Sequence, residues 1–157
     1  MSKAPHLTRL DFPKLIRIST RWSDNDVYQH VNNVVYFSFF DTAVNQNLLE
    51  EGGVDFRSSN TVGLVVDNHC QFFSSIAFPD EVFVGVAVEK IGNSSVVYRL
   101  GIFKNDSPEL CALGRFTHVY VNRDDQKPTP IPPEIRSALT PMMHQWNDVI
   151  HLKEKEV

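Results

Sequence analysis

One helical segment followed by four long strand-like segments is the feature of this sequence that most constrains its fold. From Asn33 to Glu51, apolar residues recur at the three-to-four spacing of a buried helix face, and Gly52 is of the type that ends helices. Beyond it the period changes to two, most plainly at the alternating valines 82, 84, 86 and 88. The segments predicted to be strands are 61–73, 81–91, 94–103 and 109–122.

The connections between these segments indicate how they are arranged. A further alternating segment at 14–22 predicts a first strand before the helix, and turn-forming residues at 92–93 and 104–108 join antiparallel neighbours. One helix against a long antiparallel sheet is an α+β arrangement, in which the sheet must curl to cover the helix. The other face of the sheet and its edge strands would be left exposed, and pairing with a second copy is the simplest cover.

The composition and the ends of the chain complete this outline. The 157 residues fit one domain with a core at about 14–140, while the prolines at 130, 132 and 133 end the sheet before a short helix at 133–143 and a peripheral charged tail. A net charge of −4 argues against a nucleic-acid binder. Without an apolar leader or a bilayer-length segment, and with two cysteines outside any zinc or redox spacing, a soluble cytoplasmic protein is expected.

The loop before the helix holds the densest set of polar candidates: Asp24, Asp26, His30, Asn32 and Asn33. The start of a helix presents unpaired N–H groups and partial positive charge, which can polarise a carbonyl oxygen while a nearby carboxylate attacks it or activates water. Aspartate and asparagine before a helix are, however, more often caps and turn-formers, and Asn32 or Asn33 can cap this one. Residue chemistry alone therefore favours the structural role.

The order of residues in this loop adds a resemblance. The run Asp26-Val27-Tyr28-Gln29-His30-Val31-Asn32-Asn33, followed by Tyr36, resembles the active-site segment of the 4-hydroxybenzoyl-CoA thioesterase-like hotdog family. It looks most like the long-chain acyl-CoA thioesterase branch, whose hallmark is Asp-x-x-x-His-Val-Asn-Asn-x-x-Tyr. Weaker likenesses at 79–82, 114–121, 127–128 and 131–132 follow in the family's order, so the resemblance spans about residues 14 to 140.

This resemblance implies a hotdog fold, with a curled antiparallel sheet of about five strands wrapped around one long central helix. It implies hydrolysis of an acyl-CoA to the free acid and CoA without a cofactor, in a homodimer or homotetramer whose active sites lie at the dimer interface. By match to the motif, Asp26 is the catalytic carboxylate, acting as nucleophile or general base. His30, Asn32 and Asn33 would shape the loop, and Tyr36 would line the acyl pocket or the core. Backbone N–H groups at the start of the helix, or from the facing subunit, would hold the thioester oxygen.

Two departures from the family pattern stand out. Gln29 occupies a position that is glycine in some members, so a tight turn before His30 is not assured. Asp41 and Val44 stand where many relatives carry a glutamate and an arginine, which puts any ion pair between those residues in doubt.

Rival functions depend on the same residues. A hotdog hydratase or dehydratase uses an Asp-x-Asn-Pro-x-His signature, whereas here Asp26 and His30 are four apart with no Asn-Pro between them. A non-catalytic acyl-thioester binding protein on the same fold is the third alternative. The sequence leaves open whether the acyl group is fatty or aryl, and whether CoA or an acyl-carrier protein carries it.

Other polar residues are weaker candidates. Asn68 could reach the substrate if its strand borders the cleft, and Arg99, Lys104 and Arg115 could meet the CoA phosphates, although solvated strand positions are their commoner role. His69 and Cys70 would point to opposite faces of a strand, which argues against a thiol dyad. The histidines show no metal-ligand spacing, so no metal site is expected.

Overall fold

The computed structural model describes the backbone of residues 4–154 and the side chains of residues 4–143. Its elements include two short 3-10 helices, Arg9–Asp11 and Trp22–Asp24. The strands and longer helices in chain order are β1 (Lys14–Ser19), α1 (Asn33–Glu51), β2 (Thr61–Phe72), β3 (Glu81–Ile91), β4 (Ser95–Lys104), β5 (Ala112–Asn122) and α2 (Pro133–Glu154).

All five predicted strands are confirmed, and α1 has the predicted bounds. Three other boundaries differ from prediction by three residues or more, and those of β2 and β4 differ by one residue. The first strand stops at Ser19, because the Asp24 carboxylate accepts the backbone N–H of Arg21 at 2.7 Å and closes a 3-10 turn there. The last strand begins at Ala112 and not at 109. The final helix continues through Pro141 to Glu154 and so includes the start of the predicted tail, whereas 155–157 lie outside the described residues.

The five strands form one antiparallel sheet in the order β1-β3-β4-β5-β2. The alternating valines of β3 are fully buried on its inner face, where they join the core cluster that contains α1. A Cβ atom on Gly114 of β5 would lie 2.4 Å from Cζ of Phe40, so only glycine lets the helix approach this closely. The predicted α+β arrangement of a curled sheet around one helix is confirmed.

The outer face of the sheet has a cover that the sequence did not predict. The Phe12 ring, from the segment before β1, lies over Gly85 and Gly101, where added Cβ atoms would come within 2.4 and 2.5 Å of it. The same ring meets Phe103 edge to face at 5.9 Å. The expectation that this face would be left exposed is therefore wrong in part, since the chain covers some of it with its own N-terminal segment.

Strand β2 is the exposed edge of the sheet beside α1. None of its residues is buried, and Leu64, Val65 and Val66 are 39%, 44% and 60% exposed. Its pairing with β5 is irregular between Val65 and Asp67. Within the described residues, no helix has the length and apolar character needed to cross a bilayer.

Candidate active site

The loop between β1 and α1 is a tight, hydrogen-bonded turn. The Asp26 N–H donates to the His30 carbonyl at 2.9 Å, and the Gln29 N–H donates to the Asp26 carbonyl at 3.0 Å. Gln29 takes the left-handed conformation, with φ of 67°. The tight turn before His30, which was in doubt because Gln29 stands in place of glycine, therefore forms. The left-handed conformation costs a residue with a Cβ atom about 1 kcal/mol or more.

The buried side chain of Asp24 anchors this loop through hydrogen bonds. Its side chain is only 2% exposed and accepts three hydrogen bonds from Arg21, one from the backbone N–H and two from the guanidinium at 2.8 and 3.0 Å. Its carbonyl accepts the Asn32 N–H at 2.9 Å, which ties the anchor to the start of α1. Asp24 is thus a buried, saturated carboxylate with a structural role.

The loop is also fixed to the turn that precedes β3. The Asn25 side-chain oxygen accepts the Phe78 N–H at 3.0 Å, and the Val31 N–H donates to the Ile76 carbonyl at 2.7 Å. These bonds hold two segments together that are about fifty residues apart in the chain. Nothing in the local sequence pattern signals this pairing, and sequence reasoning missed the contribution of 76–78 to the site.

Asp26 differs from Asp24 because one of its carboxylate oxygens accepts no hydrogen bond from the described residues. Its Oδ1 accepts the Tyr28 N–H at 2.9 Å, whereas Oδ2 accepts no hydrogen bond from any residue that the structure describes. The half-buried side chain borders an open cleft of about 680 Å³. The cleft is lined by Trp22, Asn25, Asp26, Gln29, Ala77 and Phe78.

The start of α1 has a backbone N–H that donates to no described residue. Asn32 is the N-cap: its side-chain oxygen accepts the Val34 N–H at 3.2 Å, and its carbonyl accepts the Val35 N–H at 2.9 Å. Within the described part of the chain, the Asn33 N–H is left without an acceptor. It lies at the positive end of the helix dipole, where a developing negative charge on oxygen is stabilised.

His30, Asn33 and Tyr36 share a second pocket of about 340 Å³, which they line together with Phe72 and Ser74. The buried Tyr36 ring meets Phe72 edge to face at 4.9 Å. Burial raises the pKa of Tyr36 well above its usual range, so the phenol stays protonated. Asp26 thus lines one pocket, and His30, Asn33 and Tyr36 line another.

The remaining predicted residues fall in other places. Asn68 lies opposite Phe116 on the inner face of β2 and lines neither pocket, and its buried Oδ1 has no hydrogen-bond partner among the described residues. Cys70 faces inward and His69 outward, as predicted, and burial raises the pKa of the Cys70 thiol to about 12. Within 4–143, no three histidine, cysteine or carboxylate side chains converge in a way that could hold a metal ion.

Of the basic residues predicted to contact the CoA phosphates, Lys104 lies beside the Tyr36 pocket. Its ammonium donates to the carbonyl of Ser75, a residue that lines the Tyr36 pocket, at 2.8 Å. Arg115 instead forms an ion pair with Glu89 on the outer face, with an N–O distance of 2.9 Å. Position in the folded sheet, and not residue type, separates these two cations.

A curled five-stranded sheet around one helix, with an aspartate in the loop before that helix, defines the hotdog class of thioester hydrolases. The model of the thioesterase-like superfamily matches residues 20–139, and the chain belongs to this family. The PA5185 protein of Pseudomonas aeruginosa strain PAO1 is 47% identical, with a TM-score of 0.84 over 86% of this chain and 94% of that one.

Two further solved structures are similar over most of their length. A thioesterase from Thermus thermophilus, complexed with coenzyme A and Zn, is 28% identical, with a TM-score of 0.69 over 82% of this chain and 98% of that one. The PA2801 protein of Pseudomonas aeruginosa, a putative thioesterase, is 27% identical, with a TM-score of 0.74 over 79% and 95% of the two chains.

Proposed function

We propose that this thioesterase hydrolyses acyl-CoA thioesters to the free acid and CoA, with Asp26 as the catalytic carboxylate. The observation that carries the proposal is that the loop between β1 and α1 leaves two complementary groups without partners among the described residues. Asp26 has a carboxylate oxygen with no hydrogen bond from a described residue, and Asn33 has a backbone N–H with no acceptor among them. A thioester carbonyl needs a donor of this kind for its oxygen and a base or nucleophile near its carbon.

The reaction can take either of two balanced courses. In one, Asp26 attacks the carbonyl carbon, the carbon–sulfur bond breaks, and the thiolate of CoA leaves; water then cleaves the acyl–aspartate anhydride. In the other, Asp26 removes a proton from water and the resulting hydroxide attacks the carbon; the carbon–sulfur bond then breaks, and the leaving thiolate of CoA takes up the proton that Asp26 holds. In both courses the negative charge that develops on the thioester oxygen meets the Asn33 N–H at the positive end of α1. Mass spectrometry of the intact protein after the reaction is quenched distinguishes the two courses, because only the first forms a covalent acyl–Asp26.

The other predicted site residues take supporting roles in this proposal. Asn32 holds the helix start through its capping bonds, and His30 and Tyr36 line the pocket next to Asn33. Lys104, beside that pocket, is placed to meet a CoA phosphate. Asn68 faces the inside of the sheet further along β2, where an acyl chain lying beside α1 would pass it.

We also propose that the working form is a homodimer paired through β2, with the active site at its interface. Two exposed edge strands can extend one sheet across the dimer, and pairing would cover Leu64, Val65 and Val66. Light scattering on a size-exclusion column distinguishes monomer, dimer and tetramer. A cytoplasmic location accords with Cys70 and Cys111, which are free thiols.

The decisive test follows free thiol released from a panel of fatty and aryl acyl-CoAs by wild type, Asp26→Asn and Asp41→Asn. Asp41 is an exposed carboxylate on α1 and serves as the control. We expect thiol release by wild type and Asp41→Asn and its near-complete loss in Asp26→Asn. Binding without thiol release, or addition of water to an enoyl-CoA without it, would overturn the proposal.

A further inference from the structure

A small pocket lies at the other end of α1 from Asp26. Its volume is about 90 Å³, roughly that of three water molecules, and it lies between the C-terminal part of α1 and the start of β2. Its polar lining side chains are Asn45, Thr61 and, from β5, His118 and Tyr120. The apolar walls include Leu48, Val54, Phe56, Val62 and Ile135.

His118 presents an unsatisfied nitrogen to this pocket. The side chain is 2% exposed, and its Nδ1 has no hydrogen-bond partner among the described residues. A Cβ atom on Gly63, which also lines the pocket, would lie 3.2 Å from this nitrogen, so the absence of a side chain at Gly63 leaves Nδ1 facing open space. A buried polar atom left unpaired in this way costs free energy until a partner arrives.

The charge state of His118 limits which chemical groups of a ligand can pair with its Nδ1. Burial lowers its pKa to about 4, so the imidazole is neutral at pH 7 and offers no charge to a carboxylate or phosphate. No lysine or arginine lines the pocket among the described residues. A hydroxyl group, which can either donate to or accept from a neutral imidazole, fits this chemistry.

The His118 pocket and the Tyr36 pocket lie along the same seam between α1 and β2. Tyr36 and Phe72 are at one end, and Leu48 and Gly63 are at the other. Between them, Asn68 and Cys70 of β2 face inward and are half-buried. From Tyr36 to Leu48 the helix advances roughly 18 Å, which is beyond the reach of a benzoyl or naphthoyl ring held at the start of α1. Only a long, flexible chain could join the two ends.

We propose that the α1–β2 seam holds a long aliphatic acyl chain and that the His118 pocket selects chains with a hydroxyl group at their far end. This inference rests on the proposed acyl-CoA hydrolase function and adds a substrate class to it. An unsubstituted chain would bury its end against an unpaired nitrogen, whereas a hydroxylated end satisfies both polar groups at once. Sites built to pair a substrate hydroxyl discriminate strongly against analogues that lack it.

The test compares two matched series of acyl-CoAs, from octanoyl to octadecanoyl, one unsubstituted and one with a terminal hydroxyl. We expect wild type to prefer the hydroxylated chain in kcat/KM by about tenfold at the length that reaches the pocket. In His118→Phe this ratio should fall to about one. Gly63→Ala, which places a methyl group against Nδ1, should lower the ratio through a different residue. If His118→Phe does not fold, Gly63→Ala provides the test of the inference instead.

A binding measurement separates failure of this inference from failure of the proposed function. Wild type is titrated calorimetrically with the matching free acids, with and without the terminal hydroxyl. Thiol release with no preference at any length overturns the hydroxyl inference alone. Tighter binding of the hydroxylated acid without thiol release from any acyl-CoA overturns the hydrolase proposal and keeps hydroxyl recognition. Neither thiol release nor a binding preference overturns both.

Discussion

The two ends of helix α1 are built on opposite principles. At its start, Asp24 accepts three hydrogen bonds and Asn32 caps two N–H groups, whereas one oxygen of Asp26 and the Asn33 N–H have no hydrogen-bond partner among the described residues. Near its end, His118 is buried, and its Nδ1 faces a small pocket without a hydrogen-bond partner among the described residues. We propose that the first arrangement fixes the geometry for bond-making and that the second pairs with a hydroxyl group of the substrate. The following predictions test that contrast, from the largest expected effect to the smallest.

Replacing Asp26 should give the largest effect. Asp26→Asn keeps the side-chain oxygen that accepts the Tyr28 N–H but removes the charge, so we expect turnover of acyl-CoA to fall by about 100-fold or more with the fold intact. Steady-state thiol release measures the turnover, and circular dichroism shows whether the fold is intact. Turnover within a few-fold of wild type would mean that Asp26 only stabilises the turn. Asp26 and Asp24 would then both have structural roles.

His118 should make stability depend on pH. Because its pKa in the folded state is lowered to about 4, the unfolded chain takes up this proton first as the pH falls below 6.5. The free energy of unfolding should therefore fall between pH 6.5 and about 4, by roughly 3 kcal/mol in total. Urea titrations across this range should show the loss reduced in His118→Phe but kept in Phe116→Leu, a variant of the same strand and face. Equal pH slopes in all three proteins would contradict a buried neutral imidazole.

Replacing Asp24 should affect stability before chemistry. Asp24→Ala removes the acceptor of three Arg21 hydrogen bonds, and we expect a loss of about 2 kcal/mol in the free energy of unfolding. Denaturant melts give the stability, and thiol release well below the melting temperature gives the activity. A variant as stable as wild type would show that the anchor is not needed, whereas the Arg21→Lys variant should fall between the two.

Removing the cap of α1 should have a smaller effect of the same kind. Asn32→Ala leaves the Val34 N–H without its side-chain acceptor, and the typical cost of losing such a cap is about 1 kcal/mol. Asn32→Asp, which keeps the acceptor and adds charge at the positive helix end, should recover that stability. Thermal melts of the two variants side by side decide the point, and equal losses in both would argue against the cap.

The smallest effect is expected at Gln29. Its φ of 67° suits glycine, so Gln29→Gly should relieve backbone strain while adding entropy to the unfolded chain. The balance is a gain of about 0.5 kcal/mol. Gln29→Val, with a branched side chain that resists this conformation, should lose stability instead. A Gly variant less stable than wild type would mean that the Gln29 side chain contributes contacts of its own.

Local pattern predicted most of the fold because each element carries its own signature. The period-two valines of β3 and the three-to-four spacing of α1 depend only on which side chains face the core, and both elements have the predicted bounds. Boundaries set by distant partners were less predictable. The end of β1 depends on Asp24 closing a turn, and the outer face depends on Phe12 settling on two glycines from different strands.

By itself, the sequence determined the α+β arrangement, the helix at 33–51 and, through the order of residues in the 26–36 segment, the family and the carboxylate to test. The folded structure alone decided which polar groups were satisfied, because hydrogen bonds form between residues far apart in the chain. It gave Asp24 and Asp26 different surroundings, left the Asn33 N–H without an acceptor among the described residues, and gave His118 a pocket next to Gly63. The type of a residue fixes its chemistry, and the fold decides which of these groups are left unpaired.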